Sequence, residues 1–150
     1  MLTSSGFFYQ KKGLLGPALL DFNQAIGLKP DFTAAYSNRG AVYVKKGLLD
    51  QALLDFDKAI KLEPASSVAY NNRGIIYGMK NRLNEALLDF NKAIKLDHNF
   101  ADAYSNRANL YFLKKEYQKS WQDVARAQSL GFTVNPAWLH QLKKASGRNK

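Results

Sequence analysis

The chain has 150 residues, enough for one packed core, and its 46% apolar and 13% aromatic residues with only four prolines describe a folding chain, not a disordered one. With no cysteine, disulfides, thiolate metal sites and thiol catalysis are excluded. The 22 basic and 12 acidic side chains leave a formal charge of +10, which favours an acidic partner.

Near the start, Lys11-Lys12 followed by the apolar stretch Leu14 to Leu20 has the outline of a secretion signal. Lys45-Lys46-Gly47-Leu48-Leu49, with Ala52-Leu53-Leu54 behind it, is nearly the same string, so the first copy reads as a structural repeat. No apolar run approaches the ~18 residues needed to span a bilayer. We therefore expect a soluble chain, cytoplasmic by default. The first repeat begins without its leading residues, which leaves the completeness of the chain open.

Shifted by 34 residues, positions 33–66 match positions 67–100 at 18 places. Leu53-Leu54-Asp55-Phe56 returns as Leu87-Leu88-Asp89-Phe90, and an earlier copy runs from Leu19 to Leu28. A period of this length marks a helix-turn-helix unit that buries its apolar faces only by stacking on neighbours. The repeats fall at about 1–32, 33–66, 67–100 and 101–134 of a single domain spanning 1–150. Within a unit, Tyr36, Gly40 and Tyr43 lie at helical spacing, as do Ala52, Phe56, Ala59 and Ile60 in the second half. Gly13, Gly47 and Asn81 occupy the end of the first helix, where a left-handed residue is tolerated. Pro30 and Pro64 end the second helix.

Tyr36, Gly40, Tyr43, Ala52, Phe56 and Pro64, followed by Tyr70, Gly74, Tyr77, Ala86 and Phe90, resemble the tetratricopeptide repeat pattern. The fourth copy has drifted to Tyr104, Ala108, Tyr111, Ser120, Val124 and Ala127, and the first has Leu2 in the leading aromatic position. The resemblance covers residues 1 to about 134. It implies an all-α fold: a right-handed superhelical solenoid of four units, with a capping helix at about 136–147. Asn135-Pro136 starts that helix with a cap and a proline at the first helical position. Trp138, Leu139, Leu142 and Ala145 then form its apolar stripe, and residues 148–150 are expected to fray.

The resemblance further implies a groove lined by the first helices. Asn38, Asn72 and Asn106 recur there, and amides so spaced can bind the backbone of an extended peptide without reading its sequence. The arrangement resembles the asparagine ladder in the superhelical domain of O-linked N-acetylglucosamine transferase. Ala34, Ser37, Ala41, Val68, Asn71, Ile75, Met79, Ser105, Asn109 and Leu113 are the expected flanking contacts. The carboxylate clamp that some relatives use on acidic chaperone tails is not expected, because Ser37, Ala41, Asn71, Ile75, Asp102 and Asn106 stand where it needs basic residues.

Arg39, Arg73 and Arg107 adjoin these asparagines, and Asp21, Asp55, Asp89 and Asp123 recur in the second helices. A structural ion-pair ladder follows, expected across repeats (Arg39 with Asp21, Arg73 with Asp55, Arg107 with Asp89), with pairing inside each repeat left open. Lys11, Lys12, Lys45, Lys46, Lys80, Lys114 and Lys115 gather at first-helix ends, where cations complement the helix dipole. With Lys143, Lys144, Arg148 and Lys150 they offer a basic edge, but nothing resembles a nucleic-acid recognition signature.

His98 and His140 stand apart from any ligand-spaced cluster, and no phosphate loop, nucleophile elbow or zinc motif occurs. We therefore expect a non-catalytic protein without metal or cofactor that binds a protein or extended peptide. The alternative is a structural unit that assembles with copies of itself or sits inside a larger protein, because Leu20, Leu54 and Leu88 can form an apolar row on the outer side; a nucleic-acid binder acting through the basic edge ranks behind both.

Overall fold

A computed structural model describes residues 2–148, and the side chains of all of these except 2–4 and 7. The expectations for the Leu2 side chain, for Lys150 and for fraying at 149–150 lie outside the described residues. The described chain forms nine helices and no strand: α1 (Leu2–Lys11), α2 (Leu15–Leu28), α3 (Thr33–Lys45), α4 (Leu49–Leu62), α5 (Ser67–Met79), α6 (Leu83–Leu96), α7 (Ala101–Leu113), α8 (Tyr117–Ser129) and α9 (Pro136–Ala145).

Each first helix ends at one structural position. Gly13, Gly47 and Asn81 take positive φ there (74°, 74° and 58°), and Lys115 does the same in the fourth copy (61°). Glycine and asparagine adopt this conformation at little cost. Lysine does not favour it, so at Lys115 the surrounding turn imposes it. The second helices α2 and α4 stop two residues before Pro30 and Pro64, as proline requires of the chain preceding it.

Helices pair as α1 with α2, α3 with α4, α5 with α6 and α7 with α8, and each pair stacks on the next through α2–α3, α4–α5 and α6–α7 contacts. The first helices also approach one another directly, α1 to α3, α3 to α5 and α5 to α7. That closer spacing puts the first helices on the inside of the curve. The result is an α-α solenoid.

Within a pair the close approach depends on missing side-chain volume. A Cβ on Gly40 would lie 3.0 Å from the Phe56 ring, and one on Gly74 would lie 2.8 Å from Phe90. In the fourth unit Ala108 stands at the glycine position, and the facing aromatic is replaced by the smaller Val124. Both are buried in one cluster, so the volume moves from one helix to the other.

The core consists of successive clusters, each closed by the following unit. Ala18 and Phe22 pack with Val42, Ala52 and Phe56 with Ile76, and Ala86 and Phe90 with Leu110. Val42, Ile76 and Leu110 are one position repeated every 34 residues. After the last pair, α9 supplies the closure: Leu142, fully buried, joins Ala108, Val124 and Val134, with Trp121 and Trp138 packed alongside. Asn135 caps α9 as its sequence suggests, its Oδ1 accepting from Ala137 N (2.8 Å) and Trp138 N (3.3 Å).

Candidate partner-binding face

Asn38, Asn72 and Asn106 are half-buried on α3, α5 and α7. Among the expected flanking residues, Ala34, Val68, Met79, Asn109 and Leu113 are exposed, and Ser37, Ala41, Ile75 and Ser105 are half-buried. Asn71 differs. It is only 4% exposed, and its Oδ1 accepts a 3.0 Å hydrogen bond from Asn106 Nδ2, so it ties α5 to α7 and is closed to a partner.

Two cavities open on this face. One, of about 270 Å³, brings together Ile75, Met79, Asn106, Asn109 and Leu113. The other, of about 550 Å³, has Ser105, Asn106 and Asn109 on one wall and residues from Phe132 to Gln141 on the opposite side. Asn106 and Asn109 belong to both, so the two form one trough running from α5 to α9. Asn38, Asn72, Ala34, Ser37, Ala41 and Val68 lie on the same row of helices but line neither cavity. Among the described residues no ionisable side chain lines either cavity, although the protein is strongly basic.

Sequence reasoning missed the contribution of the last helix, having assigned it only to covering the core. Trp138 both packs on that core and lines the larger cavity, with Nε1 donating to Asn109 Oδ1 at 3.2 Å. The amphipathic stripe carrying Trp138 was the available signal. The groove-facing side of the tryptophan leaves no mark in that stripe.

The arginines lie beside the asparagines and pair inside their own repeats, which corrects the expected cross-repeat register. Arg39 Nε and Nη2 donate to Asp55 at 2.8 and 2.6 Å. Arg73 does so to Asp89 at 2.8 and 2.7 Å, and Arg107 to Asp123 at 2.7 Å through each nitrogen. The reason is the close crossing at Gly40, Gly74 and, in the fourth unit, Ala108, which sets each arginine beside the aspartate that precedes the packed Phe56, Phe90 or Val124. The remaining nitrogen, Nη1, reaches back one unit, to Asn23, Asp57 and Asn91 at 2.6–2.7 Å. Each guanidinium therefore joins two repeats. Asp21, without such an arginine, accepts from Gly6 N at 2.8 Å.

Hydrogen bonds donated to Asp55 and Asp89 hold the Arg39 and Arg73 guanidiniums above the ordinary arginine range. For Arg107 burial acts first and downward, but the Asp123 hydrogen bond and charge, with Tyr111 and Tyr104 adding to them, make the net direction up. Each arginine also lies between two tyrosine rings, as Arg73 does between Tyr70 and Tyr77 at 5.5 and 5.7 Å. These contacts tie helices together: a guanidinium that stays charged at neutral pH and is held by two partners does not exchange protons in that range.

Part of the basic edge is likewise engaged internally, Lys80 with Asp50 at 2.8 Å and Lys114 with Asn84 at 3.2 Å. Among the described residues no three His, Cys, Asp or Glu side chains gather as a metal set. His98 and His140 are exposed. No described helix is long and apolar enough to cross a membrane.

A family model described as tetratricopeptide repeat matches residues 33–66 and 67–100, and a second of the same description matches 90–122. No curated protein sequence matches the chain. Among solved structures, the MamA protein superposes with a TM-score of 0.80 at 20% identity, over 97% of this chain and 81% of that one. The Arabidopsis OM64 TPR domain gives 0.71 at 26% identity, over 73% and 90%. The first TPR of Spaghetti, bound to the HSP90 peptide SRMEEVD, gives 0.70 at 25% identity, over 77% and 91%.

Proposed function

Because the chain belongs to the tetratricopeptide repeat family, whose members are generally non-catalytic interaction modules, we propose that its first-helix face holds an extended segment of a partner polypeptide. The carrying observation is the trough itself. Asn106 and Asn109 sit at the junction of two cavities that no charged side chain lines, and Asn106 continues the row of amides begun by Asn38 and Asn72 on the preceding first helices. Such a surface hydrogen-bonds a peptide backbone and accepts modest uncharged side chains. An acidic segment like the one bound to the Spaghetti domain finds no cation in either cavity. Local chemistry outranks the net charge of the protein.

Affinity capture from the native lysate, wild type against an Asn38→Ala/Asn72→Ala variant, identifies partners held by the amide row. Those partners are then titrated with salt. Backbone–amide contacts do not release counterions, so binding should weaken only modestly, whereas attachment through the lysine edge should fall steeply. Binding that collapses with salt and ignores the asparagine substitutions would move the site to the basic edge.

Self-association is the second reading, favoured by Leu20, Leu54 and Leu88 on the outer helices, exposed at 63%, 70% and 69%. A concentration-dependent mass in sedimentation, abolished by changing these leucines to glutamine, would support it.

A further inference from the structure

We propose that the cavity between α7 and α9 is an anchor pocket for one uncharged aromatic side chain of the bound segment, tyrosine above all. The segment's backbone rests on the groove reading above, whereas the pocket is built from different residues. Its volume of about 550 Å³ exceeds that of one aromatic side chain, so it admits the ring together with part of the adjoining backbone.

Two of its walls are aromatic and held in place. Phe132 and Trp138 both pack against the buried cluster that closes the last repeat. The Trp138 ring meets Phe112 edge-on at 6.0 Å, its indole nitrogen is tied to Asn109, and its backbone nitrogen is tied to Asn135. A preformed aromatic slot of this kind binds a third ring without having to be ordered first.

The polar rim selects among rings. Asn109 Oδ1 is used by Trp138 and Asn106 Nδ2 by Asn71, which leaves an amide donor on Asn109 and an amide acceptor on Asn106. A phenol both accepts and donates, so it satisfies the two together. A carboxylate only accepts and an ammonium only donates, and no lining residue carries a countercharge. A leucine would leave the free Asn109 donor and the free Asn106 acceptor without a partner, which is costly on burial.

The test uses acetylated, amidated heptapeptides Gly-Ser-Gly-X-Gly-Ser-Gly, with X as Tyr, Phe, Leu, Glu or Gly, titrated into the full chain and followed by nuclear magnetic resonance. The two tryptophans give two indole N–H resonances, assigned with Trp121→Phe. The Tyr peptide should bind about tenfold more tightly than the Gly and Glu peptides and should move the Trp138 resonance but not that of Trp121. Thr133→Arg, at an exposed position on the cavity wall, should abolish the preference with helicity unchanged. Trp138→Phe, which keeps a ring in the core, should reduce it. Equal binding of Tyr, Leu and Glu peptides, or no movement of Trp138 at millimolar Tyr peptide, overturns the pocket and leaves the groove reading intact. A Tyr preference together with partner capture that Asn38→Ala/Asn72→Ala leaves unchanged upholds the pocket and sinks the groove reading instead.

Discussion

Replacing Arg73 by methionine separates the contribution of the ion-pair ladder from that of side-chain volume. The Asp89 side chain is only 6% exposed and takes both of its strong hydrogen bonds from Arg73, whose own side chain is 19% exposed. Removing the partner of a buried carboxylate costs about 3–5 kcal/mol, and because water reaches the outer part of Arg73 we place the loss near 3. The second partner, Asp57, is 51% exposed and adds less than about 1 kcal/mol. The reverse change, Asp89→Ala, should cost only ~1–2 kcal/mol, since Arg73 keeps Asp57 and its two tyrosine rings. With both gone no charge is stranded, so the double variant should lose about 2 kcal/mol, less than the sum, with a coupling of about 2. Urea unfolding followed by helical circular dichroism measures all three. The Arg73 pKa is raised by Asp89, so the arginine's share of the stability is complete below its unfolded value and is lost only as strongly alkaline pH passes its folded one. The cost of Arg73→Met should therefore not change between about pH 6 and 9 on account of the arginine. Coupling below about 0.5 kcal/mol, or strong coupling of Arg73 to Asp55 instead, would refute the within-repeat ladder.

Gly74→Ala should destabilise by about 1–3 kcal/mol through its clash with Phe90, against a helix-propensity gain of up to ~1. Combining it with Phe90→Val, the solution found in the fourth repeat, should cost less than the sum in the same urea assay. Asn106→Ala strands the buried Asn71 carbonyl and should lose about 1–3 kcal/mol, and a neutral result would return Asn71 to the open face. Leu142→Ala should cost ~2–5 kcal/mol and lower the thermal midpoint, since Leu142 is the fully buried residue that α9 contributes to the cluster. An unchanged midpoint would mean that α9 is not the closure.

The features legible in the sequence are those fixed within a few residues. The left-handed position at Gly13, Gly47 and Asn81, the stops before Pro30 and Pro64, and the Asn135-Pro136 start each follow from one residue's backbone preference. The 34-residue recurrence carries these into a stack of helix pairs. The choice among partners required the tertiary structure. Arg73 has acids within reach in two repeats, and the glycine-to-phenylalanine crossing determines that Asp89 takes two of its nitrogens while Asp57, not Asp55, takes the third. Asn71 and Asn72 are adjacent and chemically identical, yet helix rotation buries the first and leaves the second half-open. Trp138 reads as core from its spacing, and only the angle of α9 against α7 makes its ring a cavity wall as well. Local rules act through backbone torsions that each residue carries with it, whereas these outcomes depend on distances between helices, which are set by side chains far apart in the chain.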